Sequence, residues 1–164
     1  VDEYGNLFFS SEDDKIHIAS YLDLWSGFTN QYTTIYDSRS GSISGVSGID
    51  VVDSDDLWFT NLKNTQVAGV LNKAEAKTSY VNSDDIKIEV VAREGSYGVA
   101  VSDDFAFFIT DTQLFCYDFE DEELMLKSHG FKQARGISVG DDRVYVADHG
   151  TGTVYKIVGD DGDR

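Results

Sequence analysis

The feature that most constrains the fold of this sequence is a unit that occurs three times. Each copy begins at a glycine, runs through an alternating apolar segment and a pair of aspartates, and ends in an aromatic or β-branched segment. The three copies are Gly48–Asn61, Gly98–Asp111 and Gly136–Asp148, and a shorter fourth copy covers residues 2–11. Repeats of roughly 20–50 residues are typical of solenoids, propellers and arrays. Because every unit has a strand pattern, the spacing predicts a β-propeller.

The predicted fold class is all-β: β-propeller blades of four antiparallel strands, about three full blades plus a partial one. The whole chain, residues 1–164, is interpreted as a single propeller segment. Its approximate blades are 1–37, 46–92, 97–128 and 135–158.

Strand and loop patterns within these blades give more local predictions. Strands are expected where apolar and polar residues alternate, as at Lys15–Ala19, and also at residues 77–81. The Ser/Gly-rich stretch Ser38–Ser47 is predicted to be a loop between blades. The single helix candidate is Leu71–Lys77, which is too short to be a stable helix alone and could equally be a turn between strands.

The charge of the chain narrows the classes of partner. Asp and Glu outnumber Lys and Arg 30 to 13, which gives a formal net charge of −17. Binding to nucleic acid or to an anionic membrane surface depends on basic residues, so both partners are excluded from the prediction. No apolar run approaches the ~18–20 residues of a membrane-spanning helix, so no membrane insertion is predicted. The acidity favours basic partners and an extracellular, secreted or high-salt setting.

Several residues are interpreted as structural. Cys116 is the single cysteine and lies in a strand pattern, so it is predicted to be a small buried residue. The repeated aspartate pairs are interpreted as hairpin turns, because Asp bonds its own backbone two residues on. The glycine that opens each unit is expected to let strands approach closely where blades converge.

One copy of the unit also supports a family resemblance. In Arg135–Asp148, the pattern Arg-Gly-Ile-x-Val leads through a turn to an aromatic strand that ends in Ala-Asp. This pattern resembles an NHL-type repeat of the superfamily that includes gluconolactonase-like and lyase-like propellers. The resemblance implies blades of a six-bladed propeller. At the observed unit length the chain would be a partial segment of such a propeller, or a small propeller completed by another chain.

The same resemblance implies where an enzyme of this superfamily would hold metal. In gluconolactonase-like relatives, Asn or Asp residues just ahead of the glycine pattern bind calcium in the central tunnel. The matching positions here are Ser47, Tyr97 and Arg135, none of which is a carboxylate or an amide. Lyase-like relatives use histidine-rich metal sites, whereas this chain has only His17, His129 and His149. Both departures make an enzyme a less favoured interpretation than a non-enzymatic module.

Polar residues at equivalent strand ends form the candidate ligand site. They are Ser11, Asn61, Asp111 and Asp148, with His149 following the last of them. In a ring of blades these positions would lie at one level around the axis, where ligand sites gather. Asn61, Asp111, Asp148 and His149 are therefore the predicted ligand or cation residues. No catalytic residue and no cofactor are predicted, and if a cation binds we expect Ca²⁺.

Two functions of different classes follow. The first is a non-enzymatic propeller module for protein or glycan binding or for structural assembly, with a protein partner or self-association. The alternative is a propeller lyase or hydrolase with a metal in the central channel, whose remaining residues lie outside this segment. Convergence of Asp111, Asp148 and His149 on a metal would favour the enzyme.

Overall fold

The structure is a computed structural model, and it describes residues 1–25, 27, 32–37, 45–52, 56–61, 69–75, 87–91, 95–140 and 143–158. Fourteen strands and one short helix lie in these ranges. They form four antiparallel sheets, two with three strands and two with four. The chain is therefore all-β and built of β-propeller blades, as the repeat predicts.

The sheets follow one another along the chain. The first contains β1 (Leu7–Ser11), β2 (Lys15–Ala19) and β3 (Thr33–Tyr36), with helix α1 (Tyr21–Trp25) between β2 and β3. The second contains β4 (Val46–Val52), β5 (Asp56–Asn61), β6 (Gly69–Glu75) and β7 (Lys87–Val91). The third contains β8 (Gly98–Val101), β9 (Phe105–Ile109), β10 (Gln113–Asp118) and β11 (Leu124–His129). The fourth contains β12 (Ala134–Gly140), β13 (Arg143–Asp148) and β14 (Thr153–Ile157).

Each sheet is a meander in which neighbouring strands in sequence are neighbours in space. The glycine strand of the repeat is the first strand of a sheet, as in β4, β8 and β12, and the aromatic segment is the second. By its position in the repeat, β1 corresponds to the second strands of the other three sheets. The three-stranded first sheet thus has no counterpart of the glycine strand among the described residues.

The structure corrects one local prediction in the second sheet. The helix candidate Leu71–Lys77 is strand β6 as far as Glu75, because its backbone pairs with β5 on one side and β7 on the other. The fourth strand is β7, and the strand predicted at 77–81 lies outside the described residues. Helix α1 was not predicted.

Turn predictions have mixed outcomes. Asp103 and Asp104 lie in the bend between β8 and β9, as expected for a hairpin pair. Asp56 opens β5, whereas Asp55 and the pair at 141–142 lie outside the described residues. Most of the Ser38–Ser47 loop lies outside them too, and its last two residues begin β4.

Three apolar cores lie between consecutive sheets, because side chains of each second strand alternate between two faces. On β5, Leu57 and Phe59 join the core shared with the first sheet, while Trp58 joins the core shared with the third. On β9, Phe108 lies in that second core and Ile109 in a third core, shared with the fourth sheet. Cys116 is buried, as predicted.

The repeat glycines allow the sheets to approach. A methyl group on Gly48 would lie 2.6 Å from the Cα of Gly98 and 2.8 Å from the backbone nitrogen of Val99. Only a residue without Cβ fits against backbone at this distance. A methyl on Gly98 would lie 3.1 Å from the Ile137 side chain, so the approach is looser at the next interface. The close approach expected of the opening glycine is thus confirmed at Gly48.

Candidate functional site

Strand direction divides the polar residues between two sides of the molecule. The second strand of each sheet ends where the first begins, as the pairs Val46–Asn61 and Ala134–Asp148 show. We call this the strand-end side, and it carries all the predicted ligand residues. The opposite side carries the turns that join first to second strands and third to fourth strands. We call it the hairpin side, and its described parts are residues 2–6, α1, 102–104 and 119–123.

Asp148, at the end of β13, is 1% exposed and uses its carboxylate within its own sheet. The Oδ1 atom accepts hydrogen bonds from the backbone N–H groups of Gln133 at 2.8 Å and Gly150 at 3.0 Å. The Oδ2 atom accepts one from the N–H of Lys132 at 2.9 Å. The carboxylate therefore ties the loop before β12 to the turn after β13.

His149 lies beside Asp148 but is exposed and turned to the same loop. Its backbone N–H donates to the Gln133 carbonyl at 2.9 Å, and its Nδ1 lies 2.8 Å from Gln133 Oε1. Because both contacts are made with Gln133, the ring is positioned as part of the turn.

Asp111 belongs to a different cluster, which joins the third and fourth sheets. Arg135 donates from Nη1 to Asp111 Oδ1 at 2.6 Å, and the Tyr97 hydroxyl lies 3.4 Å from Asp111 Oδ2. The Arg135 guanidinium carbon lies 3.6 Å from the centre of the Tyr97 ring, which adds a cation–π contact. Two of the three positions implied by the family resemblance for metal, Tyr97 and Arg135, thus form an ion-pair cluster with Asp111.

Asn61 and Ser11 occupy the equivalent ends of β5 and β1. Asn61 is buried, and its carbonyl accepts a hydrogen bond from the Ser96 N–H at 3.1 Å. The Asp111 carbonyl accepts one from the Ala134 N–H at 2.9 Å in the same way, so this bond between consecutive sheets recurs. Ser47, the third implied metal position, donates from its hydroxyl to the Ser96 carbonyl.

Ser11 meets a buried histidine that the sequence indicated only as one face of a strand. The Ser11 hydroxyl lies 2.8 Å from His17 Nε2, and Thr34 Oγ1 lies 3.1 Å from His17 Nδ1. The rings of Phe9 and Tyr32 flank the imidazole, with centroids 5.0 and 4.8 Å away. Burial lowers the pKa of His17, which favours the neutral ring. The Ser11 hydroxyl also donates to the carboxylate of Asp13.

The predicted ligand residues lie in separate clusters on the described part of the strand-end side. Calcium takes six to eight oxygen ligands, yet within the described part of the chain no three His, Cys, Asp or Glu residues lie close enough to share a metal. The carboxylates of Asp148 and Asp111 already accept hydrogen bonds from N–H groups, in two separate clusters. The structure therefore does not bring Asn61, Asp111, Asp148 and His149 together around one point.

The hairpin side has a different character, because its described turns are strongly acidic. Asp103 and Asp104 are exposed in the β8–β9 turn, and residues 120–123 form an exposed run of four acids after β10. The Asp118 carboxylate orders this run by accepting the N–H of Glu120 at 2.9 Å. Asp2 and Glu3 add two acids in the N-terminal turn.

Helix α1 adds exposed apolar side chains to this side. Trp25 is 80% exposed, Leu22 is 76% exposed and Tyr21 is 47% exposed. The Tyr21 and Trp25 rings stack with centroids 6.1 Å apart, and Tyr21 packs on Gly5. The backbone N–H of Tyr21 donates to Asn6 Oδ1 at 3.1 Å, which fixes the helix on the N-terminal turn.

We call Tyr21, Leu22 and Trp25, with the exposed Tyr4 of the N-terminal turn, the α1 patch. Sequence reasoning missed it because five residues between two strands give no helical period. The available signal was the cluster of large apolar residues in a segment without strand alternation. Among the described residues there is no helix that could cross a membrane.

Comparisons with known proteins bear on the fold. No protein-family model matches the sequence, and no curated protein matches it. Three solved structures similar to the chain are those of a nidogen/laminin complex, an auxiliary nutrient binding protein from Bacteroides thetaiotaomicron and the extracellular domain of the putative one-component system BT4673 from B. thetaiotaomicron. Their identities are 13%, 16% and 11%, and their TM-scores are 0.74, 0.62 and 0.53.

The matches cover 95%, 97% and 93% of this chain but 56%, 40% and 21% of the matched chains. The chain thus spans little more than half the length of the first similar structure and less of the others. At these identities the likeness concerns the fold alone. The chain has a β-propeller-like fold.

Proposed function

We propose that this chain is a non-enzymatic propeller module that binds a basic protein through its hairpin side. The observation that carries the proposal is the α1 patch, in which Leu22 and Trp25 are more than three-quarters exposed on the same side of the molecule as the acidic turns. Exposed aromatic and apolar clusters with a polar rim mark protein interaction sites. The similar nidogen/laminin structure is a complex of proteins, which supports the same class of function.

Charge selects the partner. The described turns of the hairpin side carry exposed acids at Glu3, Asp103, Asp104 and residues 120–123. A partner with Lys or Arg around an apolar anchor would match both the acids and the α1 patch, and the acids would speed its association. The proposal includes an extracellular setting, which the net charge favours and which agrees with the extracellular domain among the similar structures.

Tryptophan fluorescence provides a direct test. The chain has two tryptophans, of which Trp25 is exposed and Trp58 is 3% exposed. A 12-residue peptide of Lys and Leu, which contains no tryptophan, serves as the probe. We expect saturable binding with a change in Trp25 emission, and weaker binding as salt rises because the charges are screened.

A pair of matched variants assigns the binding to the patch. Leu22→Ala removes an exposed leucine from α1, and Leu126→Ala removes a 51% exposed leucine from β11. We expect Leu22→Ala to raise the Kd for the peptide about fivefold or more, as for an anchor residue, and Leu126→Ala to leave it unchanged. Equal effects of the two variants, or equal binding of a peptide with Glu in place of Lys, would contradict the proposal.

A further inference from the structure

A cavity of about 390 Å³ lies between the third and fourth sheets at the hairpin side. One wall is the β8–β9 turn, which contributes Asp103 and Asp104. The opposite wall is the start of β13, which contributes Arg143. Small-molecule sites have volumes of roughly 300–1,000 Å³, so this cavity has the size of a site for a small metabolite.

The two walls carry opposite charges that do not neutralise each other. Asp103, Asp104 and Arg143 are exposed, and among the described residues no ion pair joins Arg143 to either carboxylate. A bound molecule could therefore meet a carboxylate on one wall and a guanidinium on the other. Neither contact would have to displace an ion pair between residues that the structure describes.

The space between the charged walls is apolar. Phe105 and Phe107 line it from β9, with ring centroids 6.0 Å apart. Val139 and Val144, which are cross-strand partners on β12 and β13, line it from the fourth sheet. Both phenylalanines are partly buried, and Phe107 also packs against the third core.

We propose that this cavity binds a free α-amino acid with an apolar side chain. The ligand ammonium would pair with Asp103 and Asp104, and its carboxylate with the Arg143 guanidinium, whose fork matches a carboxylate in two parallel hydrogen bonds. The apolar side chain would pack on Phe105 and Phe107. An amine alone or an acid alone satisfies only one wall, so the arrangement selects the zwitterion.

Calorimetric titration with L-phenylalanine tests the proposal against two analogues. Phenethylamine lacks the carboxylate, and 3-phenylpropionate lacks the ammonium. We expect saturable binding of L-phenylalanine, with each analogue binding about two- to fivefold more weakly, the range of a solvent-accessible ion pair. Absence of saturable L-phenylalanine binding at millimolar concentration would overturn the proposal. Equal affinity for phenethylamine would overturn it too, because the site would then be a simple cation site.

Pairs of variants test which charged residues of the cavity contact the ligand. Arg143→Ala is compared with Lys156→Ala, which removes an exposed basic residue from β14 outside the cavity. Asp104→Asn is compared with Glu120→Gln, which changes an acid in the turn between β10 and β11. We expect Arg143→Ala to weaken L-phenylalanine binding and leave phenethylamine binding unchanged. We expect Asp104→Asn to weaken L-phenylalanine binding and leave 3-phenylpropionate binding unchanged. The two control variants and Leu22→Ala should bind like the parent chain. Binding that is insensitive to Arg143→Ala would place the ligand elsewhere and refute the assignment.

Discussion

At the scale of single residues, Asp148 shows how one carboxylate can organise a loop. Burial by itself raises its pKa, but the backbone N–H groups of Lys132 and Gln133 favour the charged form, and the net pKa lies below the ordinary value of 3.8. A carboxylate whose folded-state pKa is lowered stabilises the fold at pH values above its unfolded pKa. That stabilisation is lost as the pH falls through the folded-state pKa.

We therefore expect Asp148→Asn to lower the midpoint of thermal unfolding at pH 7. The deficit should shrink as the pH falls below about 4, because the parent chain then loses its charged carboxylate as well. Thermal unfolding followed by circular dichroism between pH 2 and 7 measures both effects. Glu120→Gln, which changes an exposed carboxylate, is the control. A deficit that stays constant over this pH range would show that the charge of Asp148 contributes nothing.

Residue positions were predictable from sequence only in part. The repeat places Asn61, Asp111 and Asp148 at equivalent strand ends. The sheet register agrees for Asn61 and Asp148, which pair with Val46 and Ala134, whereas Asp111 lies two residues beyond the end of β9. The partners of these residues were not predictable, because Gln133 and Arg135 reach them through loop geometry and packing between sheets. A pattern along one strand carries no information about a side chain that arrives from the next sheet.

At the scale of elements, pairing overrides local preference. The run at β6 contains good helix formers, yet its backbone hydrogen bonds go to β5 and β7. Strand preference depends on the neighbours that a segment meets more than on its own residues. The strand β9 was predictable because aromatic and β-branched residues dominate it, and β10 because it is mostly apolar. Helix α1, in contrast, is a single helical turn held by the N-terminal turn.

The contact between glycine strands gives a prediction at this scale. Gly48→Ala would place a methyl group 2.6 Å from the Gly98 Cα, so the second and third sheets would have to separate. We expect a loss of about 1–3 kcal/mol in the free energy of unfolding, the usual cost of overpacking. Urea unfolding measures it. Gly140→Ala is the matched control, since nothing lies within 4 Å of its added methyl, and equal stability of the two variants would refute the packing argument.

At the scale of the whole molecule, net charge opposes compaction. The chain of 164 residues has a formal net charge of −17, and several of its acidic residues lie in the described turns of the hairpin side. Self-repulsion of this kind destabilises the folded state, and salt screens it over a Debye length of about 10 Å at 0.1 M. The three interfaces between the four sheets therefore have to overcome a long-range repulsion as well as chain entropy.

We expect the midpoint of thermal unfolding to rise as NaCl is increased from 10 to about 300 mM. CaCl₂ at matched ionic strength should raise it by the same amount, because the described acids form no calcium cage. An extra, saturable stabilisation by calcium below millimolar concentration would contradict this expectation. It would support the cation site that the strand ends predict.

Second strands that pack on both neighbouring sheets also affect how the number of blades can change. The strands β5 and β9 each present one row of side chains to the preceding sheet and the other row to the following sheet, so the second and third sheets each pack on both neighbours through their second strand. Duplication of one sequence unit would yield a sheet that already fits on both sides. Blade number can thus grow or shrink by whole units during evolution, while the loops of each unit diverge to bind new partners.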